Sequence, residues 1–459
     1  VGVLSAAAYG DEDRPTVRIR DHEHAIWPLE DLIERGFEAQ LIPRKDNAAW
    51  VYIEAINAYA EPPDDLAAAF EYAYSVGWPA GQEKLAEYLD QPANRAAIDA
   101  ARRASRMERC QMPCFGDPSG SVISVLLPSL SPMRTLSKLM VAEGRQLESQ
   151  GRYSDAAETY LAVLRMGEHL GQGVTLIEGL VGIAVWGLGD RALVDLTLRQ
   201  PLSPDQLKKL LRQVNERISR TPSALRGLRG EATFGPVMVD ELCSRPLQLP
   251  SKFIGLFDAV EDDWLDSFDW SSKPTDGWGK LELRIGQIFY PDQAIKQHMA
   301  DYYDLVLQRA ERGSHLAADL GFDDAEYISQ RIPKWDVISR AFLPSLSRAT
   351  LLGEKTRAQM AATQAVVALR LHMLENDGLP PNTLSEIRDK LPDGALADPF
   401  SNDLLRYRQT EDGWLLYSVG PDLVDDGGQA GKNWDELDLV WQFPPAPIEP
   451  FDDADGGSE

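Results

Sequence analysis

The chain has 459 residues and a formal net charge of −26, from 46 Lys and Arg residues against 72 Asp and Glu residues. This length predicts about two or three domains, and an apolar fraction of 44% is enough to build their cores. The negative charge disfavours nucleic acids and anionic lipid surfaces as partners, because it would repel both at long range. The negative charge favours the binding of cations. An acidic surface that is merely solvated and binds nothing is the alternative.

The first residues bear on where the protein is located. Residues 1–8 are small and apolar, and the first is Val1 rather than Met. This pattern is typical of the end of a removed signal peptide or of a trimmed membrane anchor, and an arbitrary chain boundary is the alternative. No stretch is long and apolar enough to cross a membrane. We expect an extracytoplasmic location, in the periplasm or at the cell surface, with any membrane tether N-terminal to this chain.

The sequence has three cysteines, Cys110, Cys114 and Cys243. They are too few for a disulfide scaffold, and no histidine lies near enough in sequence to suggest a zinc site. Cys110 and Cys114 lie four residues apart. They can form a local disulfide in an oxidising compartment or remain two free buried thiols, and the sequence leaves both alternatives open.

Residues 1–46 form an N-terminal segment, and residues 47–245 are predicted to be a helical body. Apolar residues recur every three to four positions from Ala48 onward, the period of an amphipathic helix. Gly151 separates two long helical patterns and predicts a hairpin. Residues 174–198 are apolar and glycine-rich, which indicates a buried central helix.

Residues 246–345 are predicted to be a second helical part with an acidic-aromatic insertion. In residues 261–278, Trp264, Trp270 and Trp278 alternate with carboxylates. Aromatic faces stack on sugars, and glycosidases use two carboxylates, so a periplasmic glycan-binding protein or glycoside hydrolase is the alternative function. Ordinary core aromatics beside a solvated acidic face are the simpler explanation. The acids are Glu261, Asp262, Asp263, Asp266 and Asp269.

Other motifs give catalysis little support. His22 and His24 lie in an Asp-His-Glu-His pattern that suits a metal, but an exposed polar loop explains the pattern equally well. The sequence has no nucleophile elbow, phosphate-binding loop, dinucleotide fingerprint or zinc-protease motif. We therefore predict a protein that is not an enzyme.

The end of the chain predicts an α+β module at residues 346–445, followed by a disordered acidic tail at residues 446–459. A long apolar helix from Ser347 reaches Asn376 and is stopped by glycine and proline. Three short strands follow, the first two joined by a hairpin turn, and they predict a small antiparallel sheet. The fold class is thus mainly α, built from helical hairpins, with a C-terminal α+β module.

Four motifs in this module occur in a specific order. They are Asn376-Asp377-Gly378-Leu379-Pro380, Asp398-Pro399-Phe400, Tyr417-Ser418-Val419-Gly420-Pro421-Asp422 and the segment 435–439. In this order they resemble the periplasmic module of the major pseudopilin of type II secretion, over less than a quarter of the chain. The whole chain resembles large bacterial envelope proteins that carry the same ending.

The resemblance implies a calcium site, because an Asp-rich loop of pseudopilins holds one calcium ion. It places Asp422 as the first ligand and Asp435 or Asp438 as the last, with Asp425 and Asp426 as further carboxylates. Calcium prefers oxygen ligands in a flexible loop with tight turns, and the glycines of this loop suit such turns. A solvated turn without an ion is the alternative.

Two features depart from the pseudopilin pattern. Lys432-Asn433-Trp434 lengthens the loop, and Glu436 interrupts the usual pair of aspartates. Pseudopilins also carry a filament-forming hydrophobic helix directly ahead of the module, whereas a large helical body precedes it here. We expect the module to act in docking or capping. The predicted function is a non-enzymatic structural or protein-interaction component of an envelope assembly or secretion-type machine, with other envelope proteins or a second copy as partner.

Overall fold

The computed structural model describes residues 15–116, 127–244, 292–313, 324–334, 336, 339–340, 343, 346–401, 403–433 and 435–451. The fold is mainly α-helical, with small antiparallel sheets and a three-stranded sheet in the C-terminal region. This confirms the predicted fold class. Within the described ranges, no helix has the length and apolar character needed to cross a membrane.

The described part begins with a β-hairpin that the sequence did not predict. Strand β1 (Thr16–Ile19) pairs antiparallel with β2 (His22–Ala25), and a short helix, α1 (Leu29–Glu34), follows. The turn residue Arg20 donates hydrogen bonds from Nη1 to the carbonyl oxygens of Ile56 (2.9 Å) and Tyr59 (2.6 Å). These bonds anchor the hairpin to the first long helix of the body.

The helices that the sequence predicts in the helical body are present in the structure. The predicted turn at Gly151 is present too, and Gly151 has a φ of +72°. Its helices α6, α7 and α8 pack in sequence, and α5 packs against both α2 and α7. Ser203 caps α9 and Pro204 is its first residue. The helices are α2 (Ala48–Ala58), α3 (Ala67–Ser75), α4 (Glu83–Asp90), α5 (Pro92–Ser105), α6 (Leu130–Ser149), α7 (Tyr153–Leu170), α8 (Leu176–Arg199), α9 (Pro204–Asn215) and α10 (Leu225–Ser244).

Helix α8 is the buried central helix that its glycine-rich sequence predicts. A Cβ on Gly182 would lie 2.8 Å from the carbonyl oxygen of Gly167, and a Cβ on Gly167 would lie 2.6 Å from that of Gly182. The backbones of α7 and α8 are therefore in contact at this point, where a larger residue would separate them. Thr175 and Glu178 form a capping box that begins α8.

A smaller core lies beside the start of α8. Helices α11 (Asp292–Arg312) and α12 (Asp324–Arg331) pack with α10 around Tyr302, which is fully buried. The hydroxyl of Tyr302 contacts a carboxylate oxygen of Asp324 at 3.2 Å. This core supports the entry into the C-terminal helix.

The C-terminal region begins with helix α13, which packs against α8 and α9. The three-stranded sheet has the order β5-β6-β7, and both of its strand pairs are antiparallel. Its strands lie within about two residues of those that the sequence predicts, which are residues 404–408, 414–419 and 437–441. The elements are α13 (Ser347–Glu375), a 3-10 segment (Leu384–Lys390), β3 (Ala397–Asp398), β4 (Asp403–Leu404), β5 (Arg406–Gln409), β6 (Trp414–Ser418) and β7 (Leu439–Phe443).

One hydrophobic cluster connects the helical body to the C-terminal region. It contains Ile53 of α2, Leu161 of α7, Leu210 of α9, Leu369 of α13 and Leu416 of β6. Helix α13 is buried along most of its length. Its apolar residues pack against both the helical body and the three-stranded sheet. The predicted domain boundaries stay a prediction.

Candidate metal centre

A buried carboxylate joins two of the four C-terminal motifs. Asp398 is only 2% exposed. It accepts hydrogen bonds from the Ser418 hydroxyl (2.7 Å), the Val419 amide (3.1 Å) and the Phe400 amide (3.0 Å). Buried carboxylates require such donors, so the Asp-Pro-Phe turn is fixed to the end of β6. These motif residues position the loop that follows.

That loop, residues 420–438, is called the acidic loop. Gly420 begins it with a φ of +74°, and a Cβ at this position would clash with the carbonyl oxygen of Leu437. The two ends of the loop are therefore in backbone contact. Gly427 and Gly428 also have positive φ values, so the loop turns tightly near its middle.

Two carboxylates of the acidic loop, those of Asp426 and Asp438, carry negative charge that no described cation offsets. Asp438 is 2% exposed and accepts hydrogen bonds from the amides of Gly428 (2.6 Å) and Asp426 (3.5 Å). The Oδ2 atom of Asp426 is buried and has no hydrogen-bond partner among the described residues. Burial, together with the negative charges of Asp425 and Asp426, raises the pKa of Asp438. A cation would relieve both the repulsion and the missing contact.

Asp425 lies beside this pair but has partners of its own. Its Oδ1 atom accepts hydrogen bonds from the Tyr417 hydroxyl (3.1 Å) and the Gly427 amide (3.0 Å). Its Oδ2 atom lies 3.6 Å from Nε of Arg406. Asp425 therefore contributes negative charge to the centre while it ties the loop to the sheet.

The other two predicted ligands, Asp422 and Asp435, lie in surroundings that differ from those of this pair. Asp422 is exposed, and its Oδ1 atom accepts a hydrogen bond from the Val424 amide (3.1 Å) in a local turn. Asp435 lies 3.3 Å from Nη2 of Arg348 on α13. The charge of Asp435 also acts on the ammonium group of Lys355, whose pKa burial nevertheless lowers to about 8. The sequence offered no signal for these pairs, because helix and loop are far apart along the chain.

The donor atoms fit calcium in kind but are not arranged as a complete cage. In the part of the chain that the structure describes, no three His, Cys, Asp or Glu side chains form a metal-binding group. The buried Oδ2 atom of Asp426, in a loop with three left-handed glycines, is nevertheless the kind of oxygen site that calcium occupies with added carbonyl groups and waters. The calcium ligands stay a prediction, with Asp426 and Asp438 as their centre and Asp425 adjacent.

The two histidines of the N-terminal hairpin lie on β2, and among the described residues they do not belong to a group of three potential metal ligands. The rings of His22 and His24 lie 6.4 Å apart, and His24 packs against Phe115 at 5.5 Å. Burial, followed by the charge of His22, lowers the pKa of His24. The pattern thus belongs to a strand whose His24 contributes to packing.

Cys110 and Cys114 take the free-thiol alternative. Cys110 and Cys114 are both buried and free, and they belong to two different hydrophobic clusters. Burial raises the pKa of each thiol well above its ordinary value, so both stay protonated and unreactive.

The alternative glycan site falls on residues 261–278. These lie outside the described residues, so that site stays a prediction. A cleft of about 480 Å³ does lie between α9 and α13, but Glu216 is the one acid in its lining. The two lysines in its lining, Lys208 and Lys390, form salt bridges with the Glu375 carboxylate, with Nζ–oxygen distances of 3.1 and 2.9 Å. This cleft does not offer the carboxylate pair of a glycosidase.

Comparisons of the chain with models of known protein families, with curated proteins and with solved structures find no match. The likeness of the four C-terminal motifs to the pseudopilin module stays an expectation drawn from the sequence.

Proposed function

We propose that the protein is a non-enzymatic interaction component of a bacterial envelope assembly, located outside the cytoplasm, whose C-terminal module is stabilised by a calcium ion in the acidic loop. The observation that carries the proposal is the pair Asp426 and Asp438, because the charge of Asp426 acts on the Asp438 carboxylate and the buried Oδ2 atom of Asp426 has no partner among the described residues. A pair of this kind destabilises a fold unless a bound ion compensates it.

A bound calcium ion would supply positive charge and nothing redox-active. Asp426 and Asp438 would hold it, with Asp425 adding negative charge nearby. Since Gly420 and Leu437 already bring the loop ends together, the ion would rigidify the middle of the loop. The hydrogen bond from the Tyr417 hydroxyl of β6 to Asp425 would then hold the ordered loop against the sheet.

The surface of the module supports an interaction role. Seven large apolar side chains are exposed in the described ranges, and four of them lie within residues 374–424. Leu379 is the most exposed, at 68%. Exposed apolar side chains of this kind can be covered by a partner. The partner is another envelope protein or a second copy of this chain. The four residues are Leu374, Leu379, Leu404 and Val424.

The proposal is tested by thermal melting with calcium and with magnesium at matched ionic strength. Calcium at a hundredfold excess over its Kd should stabilise the intact chain by about 2.7 kcal/mol, and magnesium by much less. Asp426→Asn should lose the calcium effect, yet melt higher than the parent without calcium because it removes repulsion on Asp438. Asp412→Asn, in an exposed hairpin turn, is the control and should behave like the parent. Equal responses of Asp426→Asn and the parent would refute the site.

A further inference from the structure

The charges of four arginines act on the side chains at the C-terminal end of α7, and we call them the arginine cluster: Arg106, Arg165, Arg217 and Arg220. Arg217 holds both carboxylate oxygens of Glu168 at 2.7 Å from its Nη1 atom, which places the segment after α9 against α7. Arg165 lies one helical turn before Glu168 on the same side of α7.

A second contact brings Arg106 to the same place. The Nε2 atom of His169 lies 3.2 Å from the carbonyl oxygen of Met107, so the residue before Met107 sits beside the end of α7. The Nδ1 atom of His169 lies 2.9 Å from the Tyr52 hydroxyl. Burial lowers the pKa of His169 to about 4, and the positive charges of its arginine neighbours contribute to this. The imidazole is therefore neutral and adds no charge to the cluster.

The positive charge of the cluster is not balanced. Glu168 compensates Arg217, but Arg165 is half-buried and forms neither a hydrogen bond nor a salt bridge with any described residue. Its pKa is lowered by burial and by the charge of Arg217, while Glu158 and Glu168 act on it only from a distance. Desolvating an arginine among like charges is costly. Such an excess of positive charge is unexpected in a molecule with a net charge of −26.

One donor in the cluster also has no acceptor. Arg217 is 6% exposed, and its Nε atom is buried without a hydrogen-bond partner within the described ranges. A buried guanidinium N–H without an acceptor is rare in folded proteins, because the lost hydrogen bond to water is not replaced. The Nε atoms of Arg145 and Arg226 have the same feature elsewhere in the described ranges, so this donor supports the charge imbalance as a second sign of a missing ligand and does not replace it.

We propose that the arginine cluster binds the phosphate group of a small soluble compound. Guanidinium groups match phosphate oxygens with paired N–H donors, and phosphate accepts several such pairs at once. Its charge of about −1.5 to −2 offsets about half to two-thirds of the positive charge that Glu168 leaves, whereas one further carboxylate would offset about a third. A phospholipid headgroup offers the same chemistry, but the strongly acidic molecule is repelled by anionic membranes. The site goes beyond the proposed interaction function and does not depend on calcium.

The experiment is calorimetric titration of inorganic phosphate into the intact chain at fixed ionic strength. The parent should bind saturably, and Arg165→Gln should bind about tenfold more weakly or not at all, because one charged hydrogen-bonding group is worth about that factor. Arg220→Gln, at an exposed position, should weaken binding too. Arg152→Gln is the matched control, since Arg152 lies just before α7 and pairs with Asp155 at 2.7 Å. No saturable binding by the parent, or equal binding by Arg165→Gln, would overturn the proposal.

Two further measurements distinguish a phosphate site from a packing role of Arg165 and from a contact with membranes. Without phosphate, Arg165→Gln should melt at least as high as the parent, since it removes an uncompensated buried charge. A fall in its melting temperature would mean that Arg165 is a packing residue and would overturn the proposal. Vesicles of phosphatidylglycerol should bind no better than vesicles of phosphatidylcholine. Binding to phosphatidylglycerol that Arg165→Gln abolishes would overturn the assignment to a soluble compound.

Discussion

At the scale of single residues, the molecule places several carboxylates where they are costly to ionise. Asp190 of α8 is 2% exposed and accepts a hydrogen bond from the Thr363 hydroxyl of α13 at 2.6 Å. Burial raises its pKa from 3.8 to about 7, more than this hydrogen bond lowers it. Glu168 forms a salt bridge with Arg217, whereas Asp190 forms none with the described residues.

This raised pKa predicts how stability changes with pH. The folded state holds the Asp190 proton more tightly than the unfolded state, so unfolding free energy should fall as pH rises from about 4 to about 7, by up to about 1.4 kcal/mol per pH unit. Asp190→Asn cannot ionise and should be more stable than the parent at about pH 8, with the difference shrinking near pH 4. Urea unfolding at both pH values measures it. A difference that does not change with pH would contradict the assignment.

At the scale of secondary-structure elements, the contact between α7 and α8 depends on two glycines. Gly182 lies so close to α7 that any side chain would meet the backbone of Gly167. Gly187 lies on the same helix α8 and has no atom within 4 Å of the position its Cβ would take. The two glycines of α8 therefore have different roles in one helix.

Alanine substitutions should separate these roles. Gly182→Ala should destabilise the protein by about 1–3 kcal/mol, because the two helices must move apart. Gly187→Ala should stabilise it by about 0.5–1 kcal/mol, since alanine is the better helix former. Denaturant unfolding of both variants gives the comparison. A loss of stability in Gly187→Ala as large as that in Gly182→Ala would show that α8 does not pack as described.

The sequence was a good guide to elements with strong local signals. The turn at Gly151, the buried helix at residues 174–198 and the three strands of the C-terminal sheet were all predictable from nearby residues. The N-terminal hairpin was missed, because its polar residues resemble a loop and its anchor is the distant contact from Arg20 to Tyr59. The partner of Asp435 was missed for the same reason, since nothing near it in sequence points to Arg348.

At the scale of the whole molecule, α13 joins the helical body to the C-terminal sheet. Its residues Met360 and Leu369 lie in the same hydrophobic cluster as Leu210 of α9 and Leu416 of β6. Burial of this kind contributes roughly 25 cal/mol per Å² of apolar surface removed from water. The helix is thus a structural part of the body as well as the base of the module.

This shared core predicts that the body needs the C-terminal helix. A chain that ends before Ser347 should lose cooperative thermal unfolding and bind a hydrophobic dye, because the faces of α8 and α9 that contact α13 become exposed. Near-ultraviolet circular dichroism and dye fluorescence test this. A shortened chain that melts cooperatively at the temperature of the full chain would contradict a shared core.

The most direct test of the calcium-stabilised module is calorimetric titration of calcium into the intact chain. We expect a single saturable site in the parent that Asp438→Asn abolishes. Asp435→Asn should keep the site, because the Asp435 carboxylate lies against Arg348 rather than beside Asp426. A parent that takes up no calcium, or an Asp438→Asn variant that binds calcium as well as the parent, would show that the acidic loop does not hold the ion.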